Sequence, residues 1–265
     1  MIGAIIGDIV GSRFEFDNYR KKDFELFTDD CFPTDDSIMT VAVGKAILEC
    51  EGDYTHLSER AIECMQELGR PYPDCGFGGS FYHWIYAEHP QPYNSFGNGA
   101  AMRVSGAGFA ARTLDEAKEL AYKVTAVSHN HPEGIKGAEA VAVAIYLARH
   151  GKTKDEIRAY IGGNYYKIDF TLDEIRPTYE FNETCQNTVP QAFAAFFEAD
   201  GFEDTIRNAI SVGGDSDTLA AIAGSIAEAF YGVPLHLHER AESYLNTNRY
   251  AMIYEWLKKF EEKFP

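Results

Sequence analysis

Thr34-Asp35-Asp36-Ser37-Ile38-Met39-Thr40-Val41-Ala42-Val43-Gly44-Lys45-Ala46-Ile47 is the stretch from which the rest of the chain is best read. Ile38, Val41, Ala42, Ala46 and Ile47 recur at steps of three and four, the spacing that lines one face of a helix. The four residues before Ile38 suit a helix start, because hydroxyls and carboxylates cap exposed N–H groups and favour the positive end of the helix dipole.

The same period continues outward. After Pro132 it returns with Val141, Ile145 and Ala148, and further helical windows begin near Ser58, Leu114, Gln191, Thr205, Thr218, Ala241 and Tyr250. Residues 165–170 carry the best strand signal, and it is short. Residues 17–33, 89–98 and 162–184 are rich in Pro, Gly, Asn, Asp and aromatics, and read as loops that cover a site. No repeat, low-complexity run or composition break marks a boundary. The expected fold class is all-α, a compact multi-helix bundle forming one domain over residues 1–265.

Composition excludes several functions. Lys and Arg number 24 against 41 Asp and Glu, a net charge of −17 over 265 residues. With a pI near 4.8 the chain lacks the broad basic face that general nucleic-acid binding requires. The apolar run at residues 138–148 is too short for a bilayer, which takes about 20 residues. The first eleven residues are apolar but lack a basic leader and are interrupted by Asp8, so they make a poor signal peptide. Cys31, Cys50, Cys64, Cys75 and Cys185 are odd in number and show no C-x-x-C spacing, so neither a disulfide framework nor a zinc knuckle is expected. These features together point to a cytoplasmic protein with no membrane partner.

Two acidic motifs carry the chemistry. The first is Thr34-Asp35-Asp36-Ser37; the second is Gly213-Gly214-Asp215-Ser216-Asp217-Thr218, before a helix expected over residues 219–230. One helix cap needs one side chain, yet each motif offers two carboxylates and a threonine hydroxyl. If the two helix starts meet, four carboxylates converge, and only a hard divalent cation (Mg²⁺, or Mn²⁺ or Ca²⁺) relieves their repulsion. Two dications there would retain open positions for water and substrate.

Other segments admit two readings. Gly76-Phe77-Gly78-Gly79-Ser80-Phe81 and Ser95-Phe96-Gly97-Asn98-Gly99 either expose backbone N–H groups to a phosphate or make tight turns with close helix packing. Phe77, Phe81 and Phe96 can face a ligand or the core. In Ser128-His129-Asn130-His131-Pro132-Glu133-Gly134, the histidines can bind a metal or ligand, but Pro132 favours a helix start. Gly3-Ala4-Ile5-Ile6-Gly7-Asp8 is a weak dinucleotide match without a βαβ unit, and Glu15 taken alone is an ordinary surface acid.

Taken in order, the motifs from Gly7-Asp8 through Glu15, Thr34-Asp35-Asp36, residues 76–84, Gly97-Asn98-Gly99 through Met102-Arg103, His129 and residues 213–224 resemble the ADP-ribosylglycohydrolase family nearly end to end. The resemblance implies an all-α fold with a two-magnesium centre in a cleft, Mn²⁺ being an alternative metal. Thr34, Asp35, Asp36, Asp215, Asp217 and Thr218 would be metal ligands, with Asp35, Asp36 and Asp217 catalytic. Gly76, Gly78, Gly79, Ser95, Phe96, Gly97, Asn98, Gly99 and His129 would hold the substrate. Glu15 would be a gate or acid–base group on a loop closing over the metals. The implied function is magnesium-dependent removal of ADP-ribose from a protein side chain or a small-molecule conjugate, by a monomer. The first helix, starting at Met1, is expected to fray. The acceptor stays open. So do two rivals: a metal-dependent phosphohydrolase of a nucleotide or sugar phosphate, and a non-catalytic ADP-ribose-binding relative.

Overall fold

The computed structural model describes residues 1–265 and contains fifteen α-helices. In chain order the first five are α1 (Ile2–Gly11), α2 (Asp35–Glu49), α3 (Leu57–Gly69), α4 (Gly79–Tyr86) and α5 (Gly99–Met102). Then come α6 (Ser105–Ala110), α7 (Leu114–Thr125), α8 (Pro132–Arg149), α9 (Lys154–Asn164) and α10 (Leu172–Ile175). The chain closes with α11 (Cys185–Phe197), α12 (Phe202–Ile210), α13 (Ser216–Tyr231), α14 (Leu235–Leu245) and α15 (Ala251–Lys263). No strand forms, and the sole bridge pairs Gly97 with Thr184. The all-α expectation holds. No helix is long and apolar enough to cross a membrane.

The centre is the pair α1 and α13. Every residue of α1 is buried, and its glycines explain how it fits. A Cβ on Gly7 would lie 2.1 Å from the carbonyl oxygen of Ala220; on Gly3 it would lie 2.4 Å from that of Gly224, and on Gly11 2.4 Å from Cα of Asp217. Gly3, Gly7 and Gly11 therefore form a stripe that lets the backbone of α1 rest on that of α13. The supposed dinucleotide turn is this packing seam. Around it stand α2, α8, α11 and α12, with α3 and α15 outside α2 and α7 against α8. One continuous core of 79 buried residues joins them.

The seam makes a direct prediction. Gly7→Ala is expected to force the helices apart and cost about 3 kcal/mol. At this chain length that lowers Tm by about 6–12 °C. Gly162→Ala, in α9 with nothing within 4 Å of its Cβ, is expected to leave Tm unchanged or slightly higher. Calorimetric melting of both variants checks this, and equal melting points would refute the seam.

Several boundaries differ from the sequence reading. The first helix does not fray: Met1 is buried, and its amino group lies 2.7 Å from Glu228 Oε1. Residues 165–170 are irregular, because no neighbouring segment pairs with them; Tyr166 is buried instead under Lys136, whose Nζ sits 4.3 Å from its ring centroid. The loop expected at residues 162–184 contains α10, started by a capping box between Thr171 and Glu174. Helix α11 begins six residues before Gln191 and carries Pro190 inside it. Helix α13 begins at Ser216, so Asp217 and Thr218 belong to its first turn. At α8 the expected helix start is present: Pro132 is the first residue and His131 Nδ1 accepts the Glu133 amide at 3.1 Å.

Candidate active site

The starts of α2 and α13 do meet. They form the floor of a cavity of about 430 Å³, whose walls come from residues 76–81, the loop before α5 and the segment leading into α11. Of the residues singled out in the sequence, Glu15, Asp35, Asp36, Gly76, Gly78, Gly79, Ser95, Phe96, Gly97, Asn98, Gly99, His129, Asp215, Asp217 and Thr218 all line it. Thr34 does not.

Thr34 has other duties. Its hydroxyl accepts the Asp36 amide at 3.2 Å, capping α2, and donates to Asp8 Oδ1 at 2.6 Å. Asp8 also accepts from the amides of Thr34 at 2.9 Å and Ser37 at 3.0 Å, and from the Ser37 hydroxyl. The cap is thus supplied by the threonine, and Asp35 and Asp36 are surplus to it. At the other motif Asp215 stands at the N-cap position of α13, yet its carboxylate turns to Asn98, whose Nδ2 donates at 2.6 Å.

The carboxylates form two triads. Asp8, Asp36 and Asp217 each place an oxygen within 4.8 Å of the others, and so do Glu15, Asp215 and Asp217. Asp217 is shared. Thr218 links the sides: its hydroxyl donates to Asp36 Oδ2 at 3.3 Å and its amide to Asp217 Oδ1 at 2.9 Å. Asp35 lies beside them, with its Oδ1 filling the place a Cβ on Gly76 would take, 2.8 Å away. Gly76 has φ +114°, so a side chain there would meet both backbone strain and that oxygen.

Burial raises every one of these acids, and repulsion between them adds to it at Glu15, Asp35, Asp36 and Asp217. Burial pushes Asp8 up to about 6 against the pull of its hydrogen bonds from Ser37 and Thr34. Burial, then Asp215, Asp8 and Glu183, push Glu15 up to about 7. Burial and neighbouring carboxylates hold Asp35, Asp36 and Asp217 well above the usual range, and burial raises Asp215. No lysine or arginine forms a salt bridge with any of them. Asp36 Oδ1 is buried with no hydrogen-bond partner at all. Uncompensated charge, an orphaned buried oxygen and an all-oxygen donor set are what a hard dication satisfies. The residues present fit such a group.

The loop carrying Glu15 is tied over this floor. Arg20 donates to the carbonyls of Tyr179 at 2.6 Å and Val212 at 3.2 Å, and Asn18 Oδ1 accepts the Gly214 amide at 2.9 Å. At the mouth Phe16 stacks on Phe181 with ring centroids 5.5 Å apart.

On the opposite wall, the Asn98 amide donates to the Glu183 carbonyl at 2.7 Å and the Cys185 amide to that of Phe96 at 3.0 Å, fixing residues 96–98 against the start of α11. Phe96 is exposed and lines the cavity, while Phe81 is buried against Trp84, centroids 5.3 Å apart, and Phe77 stays out of the lining. His129 is buried between Phe81 and Tyr93. Its Nδ1 lies 2.9 Å from Ser128 Oγ and 3.3 Å from Arg103 Nη2.

Sequence reasoning left out Asp8, Tyr93, Arg103, Phe181 and Glu183 as site residues, all within this constellation. Asp8 had a usable signal: one acid inside an otherwise apolar decapeptide with nothing in sequence to pair it.

Comparisons with known proteins point to one family. A family model described as ADP-ribosylglycohydrolase matches residues 1–263. The chain is similar to ADP-ribosylhydrolase ARH3 of Homo sapiens, 24% identical over 94% of this chain and 89% of the relative. It is also similar to the ADP-ribosyl-[dinitrogen reductase] glycohydrolase of Rhodospirillum rubrum, 24% identical over 76% of this chain and 69% of that one. A third relative, ADP-ribosylarginine hydrolase Tri1 of Pseudomonas putida, is 28% identical over 52% of this chain and 39% of its own length. Among solved structures, one described as an ADP-ribosylglycohydrolase-related protein complex superposes with a TM-score of 0.69 at 19% identity, covering 100% of this chain and 96% of that chain. That likeness concerns the fold.

Proposed function

The chain belongs to the ADP-ribosylglycohydrolase family, and from that premise we propose a magnesium-dependent hydrolase that cleaves the bond between the anomeric carbon of ADP-ribose and an acceptor, in the first place a protein side chain. The observation that carries this reading is the pair of carboxylate triads sharing Asp217 at the floor of the cavity, all of their members buried but the half-buried Glu15. Asp36, Asp215, Asp217 and Thr218 would hold the dications, with Asp8 setting Thr34 and Ser37 from behind. Bound there, the dications would supply Lewis-acid orientation of ribose hydroxyls and of the attacking water.

The chain's own residues supply the rest. Glu15, on the loop over the floor and pushed up to about 7, can take a proton from water or give one to the departing atom. The neighbouring carboxylates stabilise positive charge as it develops on the ribose ring. The Asn98 side chain orients Asp215 through Nδ2, which otherwise donates only to Thr188 Oγ1, 3.2 Å away. Gly78, Gly79, Gly97 and Gly99 line the wall that would take the diphosphate, and the exposed face of Phe96 offers a surface for a flat ring.

The test is ADP-ribose release from arginine-linked and serine-linked ADP-ribosylated proteins, each run with Mg²⁺ and with EDTA. Magnesium-dependent release from either substrate is expected, and its pattern identifies the acceptor. Inorganic phosphate released in its place would make the protein a phosphohydrolase. ADP-ribose binding with no turnover of any conjugate would make it a binding relative.

A further inference from the structure

We propose that Arg103 is a positioning residue that fixes His129 as the Nε2–H tautomer, so that the imidazole meets the bound nucleotide sugar only as a hydrogen-bond donor. The proposal rests on the reading of the cavity as an ADP-ribose site.

Arg103 follows α5 and is wholly buried, with its guanidinium 4.9 Å from the centroid of the Phe81 ring. It has no carboxylate partner, which is unusual for a buried arginine, and its Nε and Nη1 make no hydrogen bond. Its polar contacts all run through Nη2: one bond to Ser128 Oγ at 2.7 Å and one contact to His129 Nδ1 at 3.3 Å. Guanidinium nitrogens only donate. Ser128 Oγ therefore accepts from Arg103, and its single hydrogen is free for His129 Nδ1, 2.9 Å away. The hydroxyl can turn either way, but the guanidinium N–H aimed at Nδ1 can only donate. A hydrogen on Nδ1 would oppose it, so the lone pair belongs there and the proton on Nε2, and the Ser128 hydroxyl then donates to Nδ1 as well.

Nε2 makes no hydrogen bond to the protein. A Cβ on Gly99 would lie 3.4 Å from it and one on Gly97 3.5 Å, so the N–H points at the strip of cavity that those two glycines keep open. A donor in that place suits an oxygen acceptor, a phosphate oxygen or a ribose hydroxyl. The guanidinium also disfavours the imidazolium, in the same direction as burial, which holds His129 well below its ordinary range. His129 is then a fixed donor, and acid–base work stays with the carboxylates. Tyr93 and Phe81, with centroids 5.7 and 5.9 Å from the imidazole, keep the ring in plane for this bond.

The experiment uses the full chain with ¹⁵N-labelled histidine. Long-range proton–nitrogen spectra without ligand are expected to show a pyridine-type Nδ1 and a pyrrole-type Nε2 for His129 throughout the neutral range. Arg103→Met is expected to mix the tautomers and to weaken ADP-ribose binding, measured by calorimetry, about tenfold. Arg103→Lys, which keeps a charged donor, is expected to recover part of the loss. A wild-type spectrum with the proton on Nδ1 or on both nitrogens overturns the proposal, even if Arg103→Met fails to fold. Unchanged ADP-ribose affinity in a folded Arg103→Met protein overturns it too. If the wild-type chain binds no ADP-ribose, the proposed function falls, and the ligand role of His129 with it.

Discussion

Asp217→Asn is expected to abolish ADP-ribose release, lowering kcat by about a thousandfold or more, the scale lost when a group acting directly at the reacting centre is removed. Asp217 is the member common to both carboxylate triads, so its loss opens both at once. Asp36→Asn removes one triad and the partner of Thr218, and a comparable loss follows. Asp8 acts at one remove, fixing through Thr34 and Ser37 the first turn of α2 that carries Asp36, and Asp8→Asn should cost about 10–100-fold, as is usual for groups that orient ligands from behind. The accompanying stability change has the opposite sign to most core substitutions. Taking one negative charge from a buried, uncompensated cluster should raise the melting temperature in EDTA while removing the stabilisation that Mg²⁺ confers. Steady-state rates and melting curves of the three variants test this together. Wild-type turnover by Asp217→Asn would sink the proposed centre.

The second large effect needs no substitution. In EDTA the protein is expected to become more stable as pH is lowered from 8 towards 5. Asp8 titrates near 3.8 when unfolded and is pushed up to about 6 by burial; Glu15 goes from 4.5 to about 7. A folded-state pKa above the unfolded one means the native protein binds more protons between those values, so stability falls as pH rises through the window from about 4 to 7. For the fully buried Asp8 alone the loss is on the order of 3 kcal/mol. The net charge of −17 adds to the trend, since protonation relieves general repulsion. Saturating Mg²⁺ should flatten the slope and give its largest rise in Tm at the alkaline end. A chelated protein whose melting point rises steadily from pH 5 to 8 would contradict the electrostatics of the floor.

Much of this was legible in the sequence, for reasons that differ by residue. Helix α2 announced itself because its apolar period and its hydroxyl–acid start agree, and the acids of both motifs were visible as more carboxylate than a cap can use. Their convergence was not readable from spacing, because it depends on where α1 lets α13 sit. Asp35 and Asp215 could not be told from capping residues until Thr34 was seen capping α2 and Asn98 holding Asp215. Thr34 was expected as a metal ligand; in the structure its hydroxyl donates to Asp8 and caps the Asp36 amide, a role that spacing alone does not reveal. Helix α11 was begun too late because Pro190 looks like a boundary, although the helix runs through it. The strand expected at residues 165–170 failed because alternation reports a two-faced environment and not a pairing partner.

The glycine seam also bears on how the protein is made. Helix α1 emerges from the ribosome well before its partner, because the surface that its glycines fit is more than two hundred residues downstream. At the usual 5–20 residues per second, roughly 10–40 s of synthesis separate the two. Throughout that interval a wholly apolar decapeptide, broken only by Asp8, lacks its main native neighbour and is open to wrong association. The contact that brings Asp8 beside Asp217 is thus among the last of the core to become available, followed only by those of α14 and α15, and assistance from a chaperone during translation would act on it.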